Sequence, residues 1–312
     1  MSQRTYRTRD RYEPVDGLLL LDKPAGMTSN QALQRVKRLL AARKAGHTGS
    51  LDPAATGMLP LCFGEATKVC AFLLDADKTY RVTARLGEAT DTGDATGQVV
   101  AEQPVPELSV TQWREILAGF VGASEQIPPM YSALKKDGKR LYELARQGQT
   151  VERAPRPIRI DTIDLLEAVG RRLVFRVRCS KGTYIRTLVE DIARAAGTVA
   201  HTASLHRESV GDFDAADMRD MAGLEAQAAT SRADLRAGLL PADRALRGFA
   251  AVTLTAAGAA GFRQGRAVEI DAGPEAGLVR VYGPDGEFVG IGESAGGRRL
   301  APRRVFGAAV DI

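Results

Sequence analysis

The sequence predicts an α+β fold, on three observations. Residues 78–86 and 172–179 alternate apolar and polar side chains, which is the pattern of strands with one buried face. Other segments repeat apolar residues at the spacing of an amphipathic helix. The composition changes at about residue 250, and a Pro-Asp-Gly turn at 284–286 then separates two short apolar runs as in a β-hairpin. We therefore expect a larger α+β domain followed by a small β domain.

The elements of the first half follow from local patterns. Gly17 to Asp22 is an apolar run typical of a buried strand, and the polar, arginine-rich residues 1–14 before it predict a flexible tail. Thr28 or Ser29 can cap the helix that follows, because a side-chain oxygen there accepts a backbone N–H. The further predicted elements are a strand at 59–63, a helix at 66–74, the strand at 78–86 and a helix that begins with the capping box of Ser109 and Gln112.

The second half continues the alternation of strands and helices. A strand is predicted from about residue 158, a second one at 172–179, and then a helix whose apolar face points inward and which ends at Gly197. Residues 214–248 predict helices and a linker. The final hairpin would pair residues 278–282 with 287–291.

The composition excludes several classes of protein. The 312 residues are 44% hydrophobic, which is enough for more than one domain core. The cysteines Cys62, Cys70 and Cys179 show neither the spacing of a disulfide framework nor that of a metal site, so we expect no bound metal and a reducing, cytoplasmic compartment. No apolar run suits a signal peptide or a transmembrane helix, and no membrane association is expected.

Positive charge is concentrated in one segment. The whole chain has a net charge of +5, and between Lys135 and Arg159 eight basic residues face three acidic ones. Such a basic island favours a polyanionic partner such as RNA. A solvated loop without a partner would show the same charge pattern, so this interpretation stays open on charge alone.

Residues 46–58 predict a shaped loop around a single acid. The segment contains three glycines and Pro53 within thirteen residues, which is the composition of turns. Asp52 is its only acid, and a carboxylate held on such a loop can serve as a nucleophile or as a general base. Turn chemistry alone explains the same residues. The loop in isolation therefore leaves a structural and a catalytic interpretation open.

Residues 49–57, Gly-Ser-Leu-Asp-Pro-Ala-Ala-Thr-Gly, resemble the catalytic loop of the TruB family, the tRNA pseudouridine-55 synthases. The resemblance extends to Lys78-Thr79-Tyr80, to residues 128–135, to residues 180–186 and, more briefly, to Leu205-x-Arg207. It implies a pseudouridine synthase fold, which is a mixed, mainly antiparallel sheet flanked by helices and loops. It also implies a small β-barrel of the PUA type at the C-terminal end.

The resemblance implies roles for individual residues. Asp52 would act on the glycosyl unit, Tyr80 would contact the target base, and Arg186 would pair with Asp52; without the resemblance, Tyr80 would be taken for a core aromatic. A cation at a helix start opposes the helix dipole, so a carboxylate partner also explains Arg186 physically. Asp94, in a polar turn, could be an ion-pair partner or a structural acid. The candidates for binding the substrate are His47, Tyr80, Tyr184, Leu205, Lys135 and Arg146.

The implied activity is the isomerisation of uridine 55 in the T loop of tRNA to pseudouridine, after the base is flipped into a pocket. It requires no cofactor, no metal and no obligatory protein partner. Two alternatives stay open: a non-catalytic tRNA-binding or tRNA-folding chaperone, and a guide-RNA-dependent synthase. The implied organisation is a basic tail (1–14), a catalytic domain (15–248) with an RNA-binding thumb at about 128–156, and a PUA-like RNA-binding domain (249–312).

Overall fold

The computed structural model describes residues 12–136, 138–271 and 275–307. Most of the tail expected at 1–14 lies outside these residues. Glu13, at its end, forms a parallel bridge with Ala42.

The helices and strands of the described residues alternate along the chain. The strands are β1 (Gly17–Lys23), β2 (Ala45–His47), β3 (Thr56–Phe63), β4 (Lys78–Leu86), β5 (Glu88–Thr90), β6 (Val99–Glu102), β7 (Gly122–Gln126), β8 (Lys135–Lys136), β9 (Lys139–Arg140), β10 (Arg156–Val169), β11 (Arg172–Cys179), β12 (Ala200–Val210), β13 (Arg219–Asp220), β14 (Ala250–Thr253), β15 (Val268–Glu269), β16 (Gly277–Tyr282), β17 (Phe288–Ser294) and β18 (Arg299–Val305). The α-helices are α1 (Ser29–Leu39), α2 (Cys70–Asp75), α3 (Val110–Ala118), α4 (Leu141–Ala145), α5 (Ile185–Ala195), α6 (Met221–Thr230), α7 (Arg232–Ala237) and α8 (Ala256–Arg263), and short 3-10 helices lie at 64–69, 215–217 and 242–246.

A large mixed sheet is the frame of the first domain. Its strand order is β13-β1-β3-β12-β4-β11-β10-β7, with β2 paired to the far part of β3. The β1–β13 and β3–β12 pairs are parallel, and the other pairs are antiparallel. The mainly antiparallel sheet expected from the sequence is therefore present.

Three apolar clusters hold helices against this sheet. Helices α3 and α5 pack on β4, β10 and β11 around Trp113 and Phe175. Helices α1, α6 and α7 cover one face of β1 and β3, with Leu61 at the centre. The opposite face of β1 and β3 packs on α2 and on the C-terminal domain through Ile291 and Phe306. Both faces of β3 are buried, because the strand has apolar residues on both sides: Leu59 lies in one cluster and Met58 in another.

The helix caps match the sequence patterns, while two segments differ from them. Thr28 caps α1 and Ser109 caps α3, each as part of a capping box. The segment expected as one helix at 66–74 is a 3-10 helix followed by α2. The predicted loop at 46–58 is shorter than expected, because β2 and β3 extend into its two ends.

The C-terminal domain is a five-stranded sheet in the order β14-β16-β17-β18-β15, next to α8. The predicted hairpin is confirmed as β16 and β17. In the described residues the outer strands β14 and β15 do not pair with each other, so the small β-barrel expected here has the form of a half-barrel. Lys68 Nζ donates to Val305 O at 2.7 Å and Gly307 N donates to Glu65 Oε2 at 2.9 Å, and these bonds join the two domains.

Within the described residues, no helix has both the length and the apolar composition needed to cross a membrane.

The large sheet opens between β3 and β12. The two strands pair only through His206 with Thr56 and Arg207 with Gly57. Before this point β12 follows β4 and carries a bulge between Thr202 and Ser204. Bulges of this kind re-aim strands near functional sites. The gap between the diverging strands is the place where the Asp52 loop lies.

We expect Gly57→Ala to destabilise the protein more than an ordinary glycine replacement. Gly57 has φ +97°, and a Cβ added there would lie 2.3 Å from the carbonyl oxygen of Arg207. Gly265 has φ +80° with no atom within 4 Å of such a Cβ, so Gly265→Ala measures the backbone strain alone, about 1 kcal/mol. The clash should add roughly 2 kcal/mol in Gly57→Ala. Urea denaturation of both variants tests this prediction. Equal losses of stability would mean that β3 and β12 move apart and relieve the clash without a cost in free energy.

Candidate active site

An open cavity lies at the point where β3 and β12 diverge. Its walls are residues 52, 54 and 55 of the loop, residues 94–95 of the turn after β5, Arg186 of α5 and residues 202–205 of β12. Its volume is about 30 Å³, well below the range for ligand pockets. Of the predicted site residues, the structure brings Asp52, Arg186 and Leu205 together in these walls.

Asp52 presents its carboxylate to this cavity from a well-held loop. After it, the carbonyl oxygen of Pro53 accepts hydrogen bonds from Gly26 N at 2.9 Å and Lys23 Nζ at 3.3 Å. Asp52 Oδ2 lies 3.2 Å from Nε of Arg186, and 46% of the Asp52 side chain is exposed. The carboxylate is thus aimed by protein contacts on one side and open to an incoming ligand on the other.

Arg186 is almost fully buried and uses all three of its nitrogens. Besides the Nε contact to Asp52, Nη1 donates to Thr92 O at 2.8 Å and Nη2 donates to Tyr131 O at 2.6 Å. Asp94 Oδ2 lies 3.9 Å from Nη1. Two carboxylates therefore face the cation at the start of α5, and they offset the unfavourable helix dipole there.

Gln126 fixes the point at which α5 begins. Its Oε1 accepts from Tyr184 N at 2.7 Å, and its Nε2 donates to Tyr184 O at 3.1 Å. Tyr184 is the N-cap residue of α5, and its own side chain makes no capping bond. The buried amide of Gln126 thereby sets the direction of the helix turn that carries Arg186.

Asp94 serves in both of the ways that the sequence left open. One oxygen, Oδ2, faces Arg186. The other, Oδ1, accepts from Thr92 Oγ1 and from Thr96 N, each at 2.9 Å, and so shapes the turn.

The electrostatic environment acts on Asp52 in opposite directions. Burial raises the pKa of its carboxyl above the ordinary value of 3.8, Arg186 lowers it, and Asp94 raises it again. The net direction is upward. Arg186 therefore favours the ionised carboxylate, as predicted, but it does not cancel the effect of the surrounding protein.

Tyr80 lies behind the cavity and is not part of its walls among the described residues. It is 9% exposed and packs in the same core as Leu51 and Ala55. Burial raises the pKa of its hydroxyl above 10.0, and the positive charge of Arg207 opposes that rise. Neighbouring core residues, Leu51 and Ala55 among them, therefore cover Tyr80 in this structure.

Arg207 is one of the residues whose role the sequence analysis did not predict. It is 1% exposed, and it ties the two ends of the loop to β12: Nη2 donates to Gly49 O at 2.8 Å and Nε donates to Met58 O at 2.6 Å. The only sequence signal was the short Leu-x-Arg match. Residue type gave no further sign, because arginine is usually a surface residue.

The remaining candidates lie around the cavity or away from it. His47 is half-buried in β2, and in the part of the chain that the structure describes its Nδ1 has no partner. Burial is the main cause that lowers the pKa of His47, and the charge of Arg207 lowers it further. Leu205 is in the cavity wall. Lys135 and Arg146 are exposed in the 128–156 segment, outside the cavity. Within the described residues, no three His, Cys, Asp or Glu side chains form a metal-binding group.

Comparison with protein families gives matches to one family over most of residues 37–306. A model described as TruB family pseudouridylate synthase, N-terminal domain, matches residues 37–185. Models described as tRNA pseudouridylate synthase B C-terminal domain and as pseudouridine synthase II TruB, C-terminal, match residues 186–247 and 250–306.

Similar proteins and structures agree with this family match. Proteins named tRNA pseudouridine synthase B are 51% identical over 304 residues in Nitrosococcus oceani, covering 97% of both chains, and 51% identical over 294 residues in Dechloromonas aromatica, covering 94% of this chain and 96% of the other. A solved Cbf5-Nop10-Gar1 complex has a chain with a TM-score of 0.73 and 25% identity, covering 96% of this chain and 88% of that one. An H/ACA RNP bound to a substrate RNA containing 2'-deoxyuridine matches with a TM-score of 0.71 and 25% identity, over 93% and 85% of the two chains.

We expect the raised pKa of Asp52 to make stability depend on pH with a defined sign. The unfolded chain keeps the ordinary value of 3.8, so between this value and the higher folded one the folded protein binds more protons, and its free energy of unfolding falls as the pH rises. Asp52→Asn has no carboxyl group to titrate at this position, so its free energy of unfolding does not show this decrease. The variant's stability relative to wild type should therefore increase from about pH 3.8 upward and then level off.

Urea denaturation of both proteins between about pH 3 and pH 7 measures this difference. Glu88→Gln is the control of opposite sign, because hydrogen bonding from Arg85 holds the pKa of Glu88 below 4.5. A relative stability of Asp52→Asn that is flat, or that falls with pH, would contradict the assignment.

Proposed function

The chain belongs to the TruB family of pseudouridine synthases, and from this membership we propose that it isomerises uridine 55 in the T loop of tRNA to pseudouridine. The observation that carries the proposal is the Asp52–Arg186 ion pair, at 3.2 Å, in the wall of an open cavity. The names of its relatives, tRNA pseudouridine synthase B, support tRNA as the substrate.

The reaction breaks the N1–C1′ bond of the nucleotide, turns the uracil and joins C5 to C1′. The proton on C5 is lost and a proton is gained at N1, so the product is an isomer and no co-reactant is consumed. A uracil stacked within the T loop is out of reach, so it must be flipped into the cavity first. Asp52 then attacks C1′, attacks the ring or assists a glycal route, and each of these routes begins from the ionised carboxylate.

The other site residues support this step in different ways. Arg186 favours ionised Asp52 and aims it through a planar fork, which a lysine could not reproduce. Leu205, in the cavity wall, is placed to close over the base. Tyr80 would meet the base once the cavity opens, and Tyr184 and His47 would flank its entry.

RNA binding is assigned to surfaces outside the cavity. The thumb, residues 128–156, carries exposed Lys135 and Arg146, and phosphate contacts of this kind position an RNA without doing chemistry. The C-terminal domain would add a second contact. We propose that the enzyme acts in the cytoplasm and without an obligatory protein partner.

Purified protein should convert uridine 55 of an unmodified tRNA transcript without any added factor. Asp52→Asn keeps the shape of the side chain but removes its charge, so turnover should become undetectable while the tRNA dissociation constant stays within about tenfold, since phosphate contacts supply most of the affinity. The measurement is site mapping of pseudouridine in the product.

The alternatives give different outcomes in this assay. Product only after addition of a guide RNA would favour a guide-dependent synthase. Binding and refolding of tRNA with no product at any position would favour a chaperone. Turnover by Asp52→Asn would remove Asp52 from the mechanism.

Charge reversal in the thumb should weaken binding and flatten its salt dependence. The triple variant Lys135→Glu, Lys136→Glu, Arg140→Glu removes cations that release counterions from RNA phosphates, and each lost contact lowers the slope of log affinity against log salt by about 1. Filter binding at several salt concentrations measures that slope. A matched control reverses Arg114, Arg172 and Arg194, which are exposed outside the thumb. An equal slope for the two variants would mean that the thumb is not the RNA-binding surface.

A further inference from the structure

One hydroxyl group holds the backbone immediately before Asp52. Ser29 Oγ donates to Leu51 O at 3.1 Å and accepts from Leu51 N at 2.8 Å. Ser29 is 3% exposed. A serine hydroxyl has one donor and two acceptor sites, and here it satisfies both polar backbone groups of a single residue. That residue is directly joined to Asp52.

The same part of the chain holds the backbone immediately after Asp52. Gly26 N and Lys23 Nζ both donate to Pro53 O. The turn between β1 and α1, together with the first residue of α1, thus grips the loop on both sides of the acid. The Asp52 side chain itself keeps 46% of its surface exposed, so its position depends on this backbone and on Arg186.

Ser29 is not needed to cap its own helix. Thr28 does that, because Thr28 Oγ1 accepts from Gln31 N at 3.1 Å and Gln31 Oε1 accepts from Thr28 N at 2.8 Å. Both hydrogen bonds found for the Ser29 hydroxyl in the described residues go to Leu51. Two adjacent hydroxyl residues therefore have separate tasks, one for the helix and one for the loop.

We propose that Ser29 is a positioning residue for Asp52, and this rests on the proposed function. The Asp52 side chain is short, with only two torsions between its backbone and its carboxylate. A shift of the adjacent Leu51 backbone therefore moves the carboxylate directly. Reacting atoms must come within about 3–3.5 Å, and a misplacement of about 1 Å can reduce a rate about a hundredfold. Removing the Ser29 hydroxyl frees Leu51, so Asp52 loses its aim toward both the cavity and Arg186.

The test compares Ser29→Ala with Thr28→Ala, a neighbour on the same helix that does not contact Leu51. In single-turnover assays at saturating enzyme, we expect Ser29→Ala to react at least about tenfold more slowly, with the tRNA dissociation constant unchanged within about twofold. Thr28→Ala should lose stability through its missing cap, about 1 kcal/mol, and keep the wild-type rate. A wild-type rate in Ser29→Ala, or an equal rate loss in both variants, would overturn the proposal.

A second readout does not depend on activity. Hydrogen exchange of the Leu51 amide should become faster in Ser29→Ala and stay as in wild type in Thr28→Ala, since only the first loses the acceptor of that amide. Unchanged exchange in Ser29→Ala would also overturn the proposal. If Ser29→Ala does not fold, Ser29→Cys replaces it, because a thiol keeps only weak hydrogen bonds. Wild-type protein in the same assay separates the two ideas: no product from wild type counts against the proposed function alone, and the exchange experiment still decides the role of Ser29.

Discussion

The contacts of one buried guanidinium connect three separate segments of the site. Arg186 contacts Asp52 of the loop, Thr92 and Asp94 of the turn after β5, and Tyr131 at the base of the thumb. These segments are far apart in the sequence, and a residue with five N–H donors in a rigid plane can bind all of them at once. A lysine, as a point charge, could favour ionised Asp52 but could not hold the three directions. The site therefore depends on the planarity of Arg186 as much as on its charge.

A group of buried cations lies beneath the same loop. Lys23, Lys78 and Arg207 are each less than 9% exposed, and backbone carbonyls accept their hydrogen bonds. Burial is the main cause that lowers the pKa of Lys23 and of Lys78 to about 8 each, and Arg207 contributes to both. Buried charge without full compensation costs stability. Of these three cations, Lys23 is the one that lowers the pKa of Asp52, in addition to Arg186, and so opposes the rise caused by burial.

The sequence predicted the parts of the molecule that depend on local patterns. The capping boxes of α1 and α3, the hairpin of β16 and β17 and the predicted fold class are confirmed. Asp52 and Arg186 were predicted as site residues because each lies within a long motif. Three residues were not assigned to the site, namely Ser29, Gln126 and Arg207, because each acts through hydrogen bonds to residues that are distant in the sequence. The separation is 22 positions for Ser29, 58 for Gln126 and up to 158 for Arg207. Serine, glutamine and arginine are mostly exposed in proteins, so no local pattern marks a buried copy.

The difference between local patterns and contacts distant in the sequence also explains why the predicted loop at 46–58 was too long. Glycines at 46, 49 and 57 suggested a continuous turn, but they have different tasks. Gly49 and Gly57 have positive φ, and Gly57 lets the backbone of Arg207 approach closely. Gly46 is an ordinary residue of β2, paired with Cys62, and a Cβ there would lie 3.6 Å from the sulfur of Cys70. Within 46–58, only 48–55 is free of strand pairing. The backbone of this short span is held at Leu51, at Pro53 and at both ends, while the Asp52 side chain keeps 46% of its surface exposed.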